Sequence, residues 1–259
     1  MKNRQSSIVN RQYYITIGWL YPELMSTYGD RGNIICLAKR CEWRKIGVQA
    51  INLNEGFSPK LLNGVDILFM GGAQDTQQGI VSKDFTSRKI EALKSKIEGG
   101  TPGLYICGAY QFLGKYYKEA DGNKIKGLDI FDLYTEHPGV GKERLIGNIA
   151  IKTSDGSVVV GFENHGGRTY LGKNLKPFGQ VIKGYGNNSI DGTEGAIYKN
   201  SIGTYLHGPI LPKNPLLADY LIKTALKVKY GKDLELEKLD DSLEEKARMA
   251  IAKRLQIAI

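Results

Sequence analysis

The sequence predicts an α/β fold of three layers, in which a mostly parallel central sheet carries helices on both faces and is extended by antiparallel strands. In the first half of the chain, short apolar runs rich in β-branched and aromatic residues alternate with stretches of helical spacing, which is typical of a parallel sheet. Beyond about residue 125, short strand-like runs separated by glycine-rich turns dominate, and these favour antiparallel pairing.

The individual elements follow from these two patterns. In the first half we expect strands over residues 13–20, 48–53, 65–70 and 103–106, and helices over 34–41, 82–98 and 108–117. Asp30 and Asn33 are candidate caps of the first helix. In the second half we expect strands over 145–151, 158–162, 180–183 and 201–206, and helices over 215–229 and 242–255. The last helix has an apolar stripe, expected to pack on this chain, formed by Leu243, Ala247, Ala250, Ile251 and Leu255.

Composition limits the class of protein. Neither a repeat nor a linker divides the chain, so we expect one domain over residues 1–259, with a flexible N-terminus (1–12) and a helical C-terminal tail (232–259). No apolar run approaches the roughly 20 residues of a bilayer span. Residues 1–12 have no signal-peptide core, so we expect a cytoplasmic protein. The net charge of +9 comes from scattered lysines without interleaved aromatic residues, so we expect no nucleic-acid partner.

The strongest local signal is a cysteine at a predicted strand-to-helix turn. Cys107 follows the apolar run 103–106 and precedes Gly108, which allows a tight turn and the close approach of a substrate. Amides at the start of the following helix favour a thiolate. A buried structural cysteine is the alternative, and we adopt that interpretation for Cys36 and Cys41, which lie inside an apolar helical stretch.

A thiol nucleophile needs a base, and the sequence offers three histidines. His207 ends the predicted strand 201–206 and precedes a Gly-Pro turn, so we expect it at the same sheet edge as Cys107. His165 is the rival base, although it fits better as a residue that lines the pocket. His137 lies in a charged loop and is expected to face solvent. No spacing of Cys and His matches a metal site, so we expect no metal.

Two glycines are candidates for backbone groups that stabilise an oxyanion. Gly108 follows the nucleophile directly, and Gly72 lies just after the apolar run 65–70. The alternative for Gly72 is a simple turn at the end of a strand. The residues by themselves therefore indicate a cysteine hydrolase or an acyl transferase on an α/β sheet.

Several longer strings of residues carry a family resemblance. The segments YGDRGNI (28–34), ICGAYQFLG (106–114), GFENHGGRTY (161–170) and GTYLHGPILPKN (203–214) together resemble class I glutamine amidotransferases of the cobyric-acid-synthase-like (CobB/CobQ) branch. Within that branch, the likeness is greatest to the glutaminase subunits of lipid II isoglutaminyl synthases. It runs from about residue 13 to about residue 226. The resemblance implies a class I glutamine amidotransferase fold.

The resemblance also implies an activity. Cys107 would attack the side-chain carboxamide of L-glutamine, and His207 would activate the water that hydrolyses the resulting thioester. Arg144, at the family's glutamine-binding position, would bind the α-carboxylate. Gln111 and His165 would contact the same substrate.

A second protein is implied as well. Ammonia would pass to a Mur-ligase-like, MurT-type synthetase subunit in a heterodimer, which amidates D-glutamate in the stem peptide of lipid II. This chain would need no cofactor, since ATP and Mg²⁺ would bind the partner. Through the partner, the chain would work close to membrane-bound lipid II, at the inner face of the cell membrane.

One departure from the wider class concerns the mechanism. Pro209 stands two positions after His207, where class I enzymes carry a glutamate that orients the imidazole. We expect a carboxylate of the partner to complete the site, which would couple glutamine hydrolysis to the complex. Two alternative functions stay open: a cobyrinic- or cobyric-acid-type amidotransferase domain, and a non-catalytic scaffold on the same fold.

Overall fold

The computed structural model describes residues 12–258, so the predicted flexible N-terminus lies outside the described residues except for Gln12. Over this range the strands are β1 (Tyr14–Leu20), β2 (Gly47–Leu53), β3 (Ile67–Met70), β4 (Gly103–Ile106), β5 (Tyr116–Lys118), β6 (Lys124–Lys126), β7 (Leu133–Glu136), β8 (Leu145–Thr153), β9 (Val158–His165), β10 (Arg168–Leu171), β11 (Gly179–Lys183), β12 (Thr193–Glu194), β13 (Ala196–Tyr198) and β14 (Ser201–Thr204). The α-helices are α1 (Arg31–Trp43), α2 (Asp75–Asp84), α3 (Ser87–Glu98), α4 (Gly108–Phe112), α5 (Pro215–Tyr230) and α6 (Ser242–Leu255).

A mostly parallel sheet forms the centre of the molecule. Its strand order is β13-β14-β4-β3-β1-β2, and every neighbouring pair is parallel except β13 with β14. The three strands β3, β4 and β14 are buried along their whole length, as expected for a parallel sheet covered on both faces. This arrangement confirms the predicted α/β class. It also makes β4 and β14 direct neighbours, which decides where the functional residues meet.

Two predicted helices are divided or shortened in the structure. Residues 82–98 belong to two helices, because the chain leaves α2 at Phe85 and Thr86 caps α3 by accepting a hydrogen bond from the Lys89 amide at 3.4 Å. Phe85 is buried beside Phe112, 5.6 Å between ring centroids, so the break places an aromatic ring in the core. The predicted helix 108–117 ends at Phe112, because residues 116–118 pair as a strand with β6 and β7.

The strands of the second half are placed differently from the prediction. β8, β9 and β11 were expected to extend the central sheet, but with β12 they form a separate antiparallel sheet. β14 was expected to be antiparallel and pairs in parallel with β4 instead. A further sheet, β10-β7-β5-β6, was not predicted. Alternating apolar and polar residues indicate a strand but do not identify its partner, and this is why the prediction failed here.

Ion pairs hold the C-terminal tail against the domain. The fully buried Arg40 guanidinium on α1 contacts the Asp219 carboxylate on α5 at 2.7 Å and Asp241, just before α6, at 2.5 Å. The predicted apolar stripe of α6 is wrong for most of its members, because Leu243, Ala247 and Ala250 are exposed and Ile251 and Leu255 are only partly buried, whereas Ala252, which was not included in it, is buried. In the part of the chain that the structure describes, no helix is both long and apolar enough to cross a bilayer.

Candidate active site

Two parallel strands bring the predicted nucleophile and base to one edge of the sheet. β4 and β14 pair in register, with Ile106 opposite Thr204. Cys107 follows β4 directly, and its backbone amide donates to the Thr204 carbonyl at 2.8 Å. His207 lies three residues beyond the end of β14. Residues that are a hundred positions apart in the sequence are therefore neighbours in the fold, at one sheet edge as expected, although the pairing that brings them there is parallel and not the antiparallel one expected for β14.

The turn at Cys107 is strained. Its φ of +49° and ψ of −103° lie outside the common regions for a residue with a side chain, at a cost of about 1–3 kcal/mol. The turn is held by the Thr204 carbonyl on one side and by the Gln111 amide, which donates to the Cys107 carbonyl at 3.0 Å, on the other. A sharp strand-to-helix turn projects a nucleophile beyond the sheet edge. On α1, burial raises the pKa of the Cys36 and Cys41 thiols to about 12.

His207 is fully buried, with its backbone fixed to the neighbouring sheet. Its amide donates to the Phe162 carbonyl of β9 at 2.7 Å, and the Phe162 amide donates back at 3.3 Å. Burial acts to lower the pKa of the imidazole, but the Cys107 sulfur and the Asp30 carboxylate outweigh it and raise the pKa of His207 to about 9. The site therefore favours an imidazolium beside the sulfur.

Sequence reasoning missed Asp30 as a residue of the site. It occupies the N-cap position of α1, but its side chain makes no capping hydrogen bond. Its Oδ2 accepts the Gly72 amide at 2.6 Å, and its Oδ1 lies 3.8 Å from His207 Nδ1. The structure thus places a carboxylate of this chain beside the imidazole, where a carboxylate of the partner was expected. An acidic residue ahead of a helix looks like an ordinary cap, and the resemblance of the segment 28–34 did not indicate its role.

The predicted oxyanion donors are only partly in place. The Gly72 amide is committed to Asp30, so Gly72 does not supply the free donor that was expected. A side chain at position 72 would not fit, because a Cβ there would lie 2.5 Å from Thr27 Oγ1 and 3.1 Å from His207 Cε1. Gly108 begins α4, and a Cβ on it would lie 2.9 Å from the Ala73 nitrogen. The Ala73 backbone nitrogen thus lies beside Gly108, so the amides of these two residues are the candidate oxyanion donors next to the nucleophile's turn.

A cleft of about 640 Å³ opens beside Cys107. It brings together four of the predicted residues, Cys107, Gln111, Arg144 and His165. Arg144 is fixed by Asn164, because its Nε donates to Asn164 Oδ1 and its Nη2 to the Asn164 carbonyl, both at 2.8 Å. A fixed guanidinium at the rim of a cleft is suited to bind a carboxylate.

A buried hydrogen-bond network forms the floor of the cleft. Gln111 donates to the Tyr205 hydroxyl at 3.1 Å and accepts from Gln78 Nε2 at 3.3 Å. The ring of His165 stacks on Tyr205 with centroids 3.6 Å apart, and its Nε2 lies 3.8 Å from the buried Glu163 carboxylate. Burial lowers the pKa of His165, so this imidazole is favoured in its neutral form. These contacts fix the orientation of Gln111 and His165.

Asp75 is a second residue that the sequence did not indicate. It begins α2 and lines the cleft together with Arg144. Burial raises the pKa of Asp75, an effect that His137 and Arg144 offset in part. A cleft that presents both a carboxylate and a guanidinium fits the ammonium and carboxylate groups of an amino acid.

Among residues 12–258, no group of three or more His, Cys, Asp or Glu side chains is arranged to hold a metal ion.

Sequence comparisons find relatives over most of the chain. Residues 16–215 match the CobB/CobQ-like glutamine amidotransferase domain. Over 242 residues the chain is 43% identical to the lipid II isoglutaminyl synthase (glutamine-hydrolyzing) subunit GatD of Staphylococcus aureus, covering 93% of this chain and 96% of the relative. It is also 43% identical over 239 residues to GatD of Streptococcus pneumoniae, covering 90% of this chain and 89% of the relative.

Two further similarities are more distant. A probable cobyric acid synthase of Methanothermobacter thermautotrophicus is 31% identical over 160 residues, which is 57% of this chain but only 31% of that protein. A crystal structure of a glutamine amidotransferase superposes with a TM-score of 0.56, at 14% identity, covering 81% of this chain and 98% of the other. At that identity the likeness concerns the fold alone.

Proposed function

Since this chain belongs to the family of CobB/CobQ-like glutamine amidotransferase domains, we propose that it is the glutamine-hydrolysing subunit of a lipid II isoglutaminyl synthase. The observation that carries this proposal is that Cys107 and the buried His207 follow the paired strands β4 and β14 at one sheet edge, beside a cleft that Cys107 and Arg144 line. Identity of 43% over nine-tenths or more of the chain to two GatD subunits supports the substrate.

Glutamine binds through its α-carboxylate and its α-ammonium group. The Arg144 guanidinium pairs with the α-carboxylate, and the Asp75 carboxylate accepts the α-ammonium group. Gln111 and His165 shape the floor over which the side chain extends toward the sulfur. This binding mode orients the carboxamide at the nucleophile.

The first half of the reaction forms a thioester and releases ammonia. The Cys107 thiolate attacks the carboxamide carbon, and its oxygen takes up the negative charge close to the amides of Ala73 and Gly108. The His207 imidazolium donates its proton to the leaving nitrogen. The carbon–nitrogen bond breaks, ammonia departs, and a glutamyl thioester with neutral His207 remains.

The second half regenerates the enzyme. Neutral His207 takes a proton from a water molecule, whose oxygen attacks the thioester carbon. Collapse of this second oxyanion expels the Cys107 thiolate and releases glutamate. Thiolate and imidazolium are restored together, which is the pair that the raised pKa of His207 favours.

A partner subunit receives the ammonia. The two GatD relatives are named as subunits of lipid II isoglutaminyl synthase, which supports a second subunit here. We assign it to the Mur-ligase-like, MurT type, which binds ATP and Mg²⁺ and amidates D-glutamate in the stem peptide of lipid II. Its substrate would bring the complex to the inner face of the membrane.

Replacing the nucleophile tests the proposal. In the complex of this chain with its partner, Cys107→Ser should reduce glutamate release at least ~1,000-fold. Free ammonium should then restore amidation, since only the nitrogen supply is broken. Cys36→Ser is the matched control and should keep wild-type rates, because Cys36 lies in α1, away from the cleft. Glutamine hydrolysis that survives in Cys107→Ser, or amidation that ammonium fails to restore, would contradict the proposal.

A further inference from the structure

The segment Tyr28–Ile34 carries a run of glycines and polar residues that the proposed reaction leaves unexplained. We propose that Asp30 in this segment is the positioning residue of His207, and that it takes the place of the carboxylate absent at position 209. This inference rests on the proposed function, because it assigns a role in the same reaction.

The placement of the carboxylate is the first argument. Asp30 is fully buried, so its charge is not dispersed by water. Oδ2 is anchored by the Gly72 amide at 2.6 Å, and this anchor fixes the direction of Oδ1. Oδ1 lies 3.8 Å from His207 Nδ1, slightly beyond hydrogen-bond length. Catalytic hydrogen bonds are often long without substrate and tighten when charge develops.

The approach of α1 to the His207 turn is the second argument. A Cβ on Gly32 would lie 2.4 Å from Pro209 Cγ, so only glycine lets the first turn of α1 approach this closely. Asn33 Oδ1 accepts the Leu211 amide at 3.0 Å. Pro209, the residue that replaces the usual glutamate, is thus the surface against which the helix carrying Asp30 packs.

The charges around the imidazole are the third argument. The Cys107 sulfur and the Asp30 carboxylate are the two groups whose charge raises the pKa of His207 against the effect of burial. The Lys213 ammonium, from the segment after the turn, contacts the Gly208 carbonyl. With Asp30 in place, Nδ1 keeps its proton and Nε2 is the nitrogen that exchanges protons with the reaction.

Asp30→Asn tests this role, because it keeps the shape and an oxygen acceptor for Gly72 but removes the charge. In the complex with the partner, kcat for glutamine hydrolysis should fall on the order of 100-fold, with KM within ~2-fold of wild type. The alkaline limb of the kcat profile should move to lower pH, since the imidazolium loses its stabilising charge.

The control is Asp66→Asn. Asp66 also accepts a backbone amide, from Thr16 at 2.8 Å, but it lies just before β3, at the end of the parallel strands opposite to Cys107, where it pairs with Lys229. It should leave kcat and the pH profile unchanged. If Asp30→Asn does not fold, Asp30→Glu replaces it: this variant keeps the charge, so its alkaline limb should stay at the wild-type pH even where kcat falls.

The outcomes separate this inference from the proposed function. A wild-type complex that hydrolyses no glutamine overturns the proposed function. A fully active wild type with an unchanged kcat and pH profile in Asp30→Asn overturns the positioning role alone. An Asp30→Glu variant whose alkaline limb moves down also overturns it.

Discussion

The turns that carry Cys107 and His207 are held in different ways. The Cys107 turn is held by the neighbouring strand β14 and by the helix that it begins, through the Thr204 carbonyl and the Gln111 amide. The His207 turn is not followed directly by an α-helix, and its support comes from segments outside the central sheet: Phe162 of β9, and Asp30 at the start of α1. One turn is thus held by an adjacent strand and its own helix, and the other by packed segments that are distant in the sequence.

This difference separates two kinds of sensitivity. A change at the Cys107 turn reaches the reacting atoms directly, since the nucleophile and the Gly108 amide, one of its two oxyanion donors, are neighbours on the same backbone segment. A change in the residues that support His207 alters the orientation of the imidazole. It should therefore lower kcat by less than a change at the Cys107 turn, and a compensating substitution should restore kcat. The following variants examine that contrast.

Gly108→Ala acts at the Cys107 turn. The new Cβ would lie 2.9 Å from the Ala73 nitrogen and 3.0 Å from the Ala73 oxygen, both backbone atoms that cannot move aside independently. We expect kcat for glutamine hydrolysis to fall about 100- to 1,000-fold, the range for loss of an oxyanion donor. Gly79→Ala is the control, since a Cβ there meets nothing within 4 Å. A Gly108→Ala variant within threefold of wild type would refute the local account.

Arg144→Ala tests a residue outside both turns. Loss of the guanidinium should raise KM for glutamine about 10- to 50-fold, the effect of removing one charge-assisted pair, with a small change in kcat. Steady-state glutamate release provides both constants. Asn164→Ala should raise KM less. Asn164 orients Arg144 by accepting two hydrogen bonds, and the one at its backbone carbonyl survives the substitution. A loss confined to kcat would remove Arg144 from substrate binding.

Gly32→Ala acts on the support of His207. The added Cβ collides with Pro209 Cγ and should push α1 and Asp30 away from the imidazole. We expect a loss of kcat of about 10-fold with KM unchanged, measured in the complex. The double variant Gly32→Ala with Pro209→Gly removes the collision and should recover most of the loss. If the effects of Gly32→Ala and Pro209→Gly on kcat are additive in the double variant, the contact between Gly32 and Pro209 does not position His207.

Arg40→Met tests whether the whole of α1 or only its first turn supports His207. Arg40 pairs with Asp219 and Asp241 far from the cleft, so kcat should stay at the wild-type value. The free energy of unfolding should fall by about 3 kcal/mol, since two carboxylates lose a buried partner. Thermal or urea unfolding measures it. If kcat falls in a folded Arg40→Met variant, the whole of α1, and not only its first turn, supports His207.

The same variant has a pH signature. Burial acts to raise the pKa of Asp219, but hydrogen bonds from Arg40 and Arg44 outweigh it and lower the pKa from its usual 3.8. The stabilisation is therefore complete above pH 3.8 and is lost as the pH falls through the lowered pKa. Arg40→Met should show a smaller loss of stability over that acidic range than the wild type.

The sequence was informative where structure is local. The apolar run 103–106 followed by Cys107 and Gly108 predicts the turn, because strand, turn and helix are all encoded within ten residues. His207, which ends the predicted strand 201–206, was expected at the same sheet edge as Cys107. Arg144 and Gln111 were indicated by the resemblance and do line the cleft.

The remainder depends on contacts between distant segments. In the sequence, Asp30 looks like a helix cap. Its position beside His207 depends on contacts between distant segments: Gly32 packs on Pro209, and the Leu211 amide donates to Asn33, 178 residues away. The Gly72 amide looked free because its acceptor, Asp30, could not be foreseen. The separate sheet of β8 and β9 escaped prediction because periodicity does not specify strand partners.

Trapping the covalent intermediate tests the central claim, that Cys107 and His207 act together to hydrolyse glutamine. The complex is mixed with glutamine, quenched in acid within the first turnover, and digested for peptide mass analysis. We predict one glutamyl group in thioester linkage on the peptide that contains Cys107, absent from Cys107→Ser. Glutamate release without this adduct, or an adduct on Cys36 or Cys41 instead, would contradict the account.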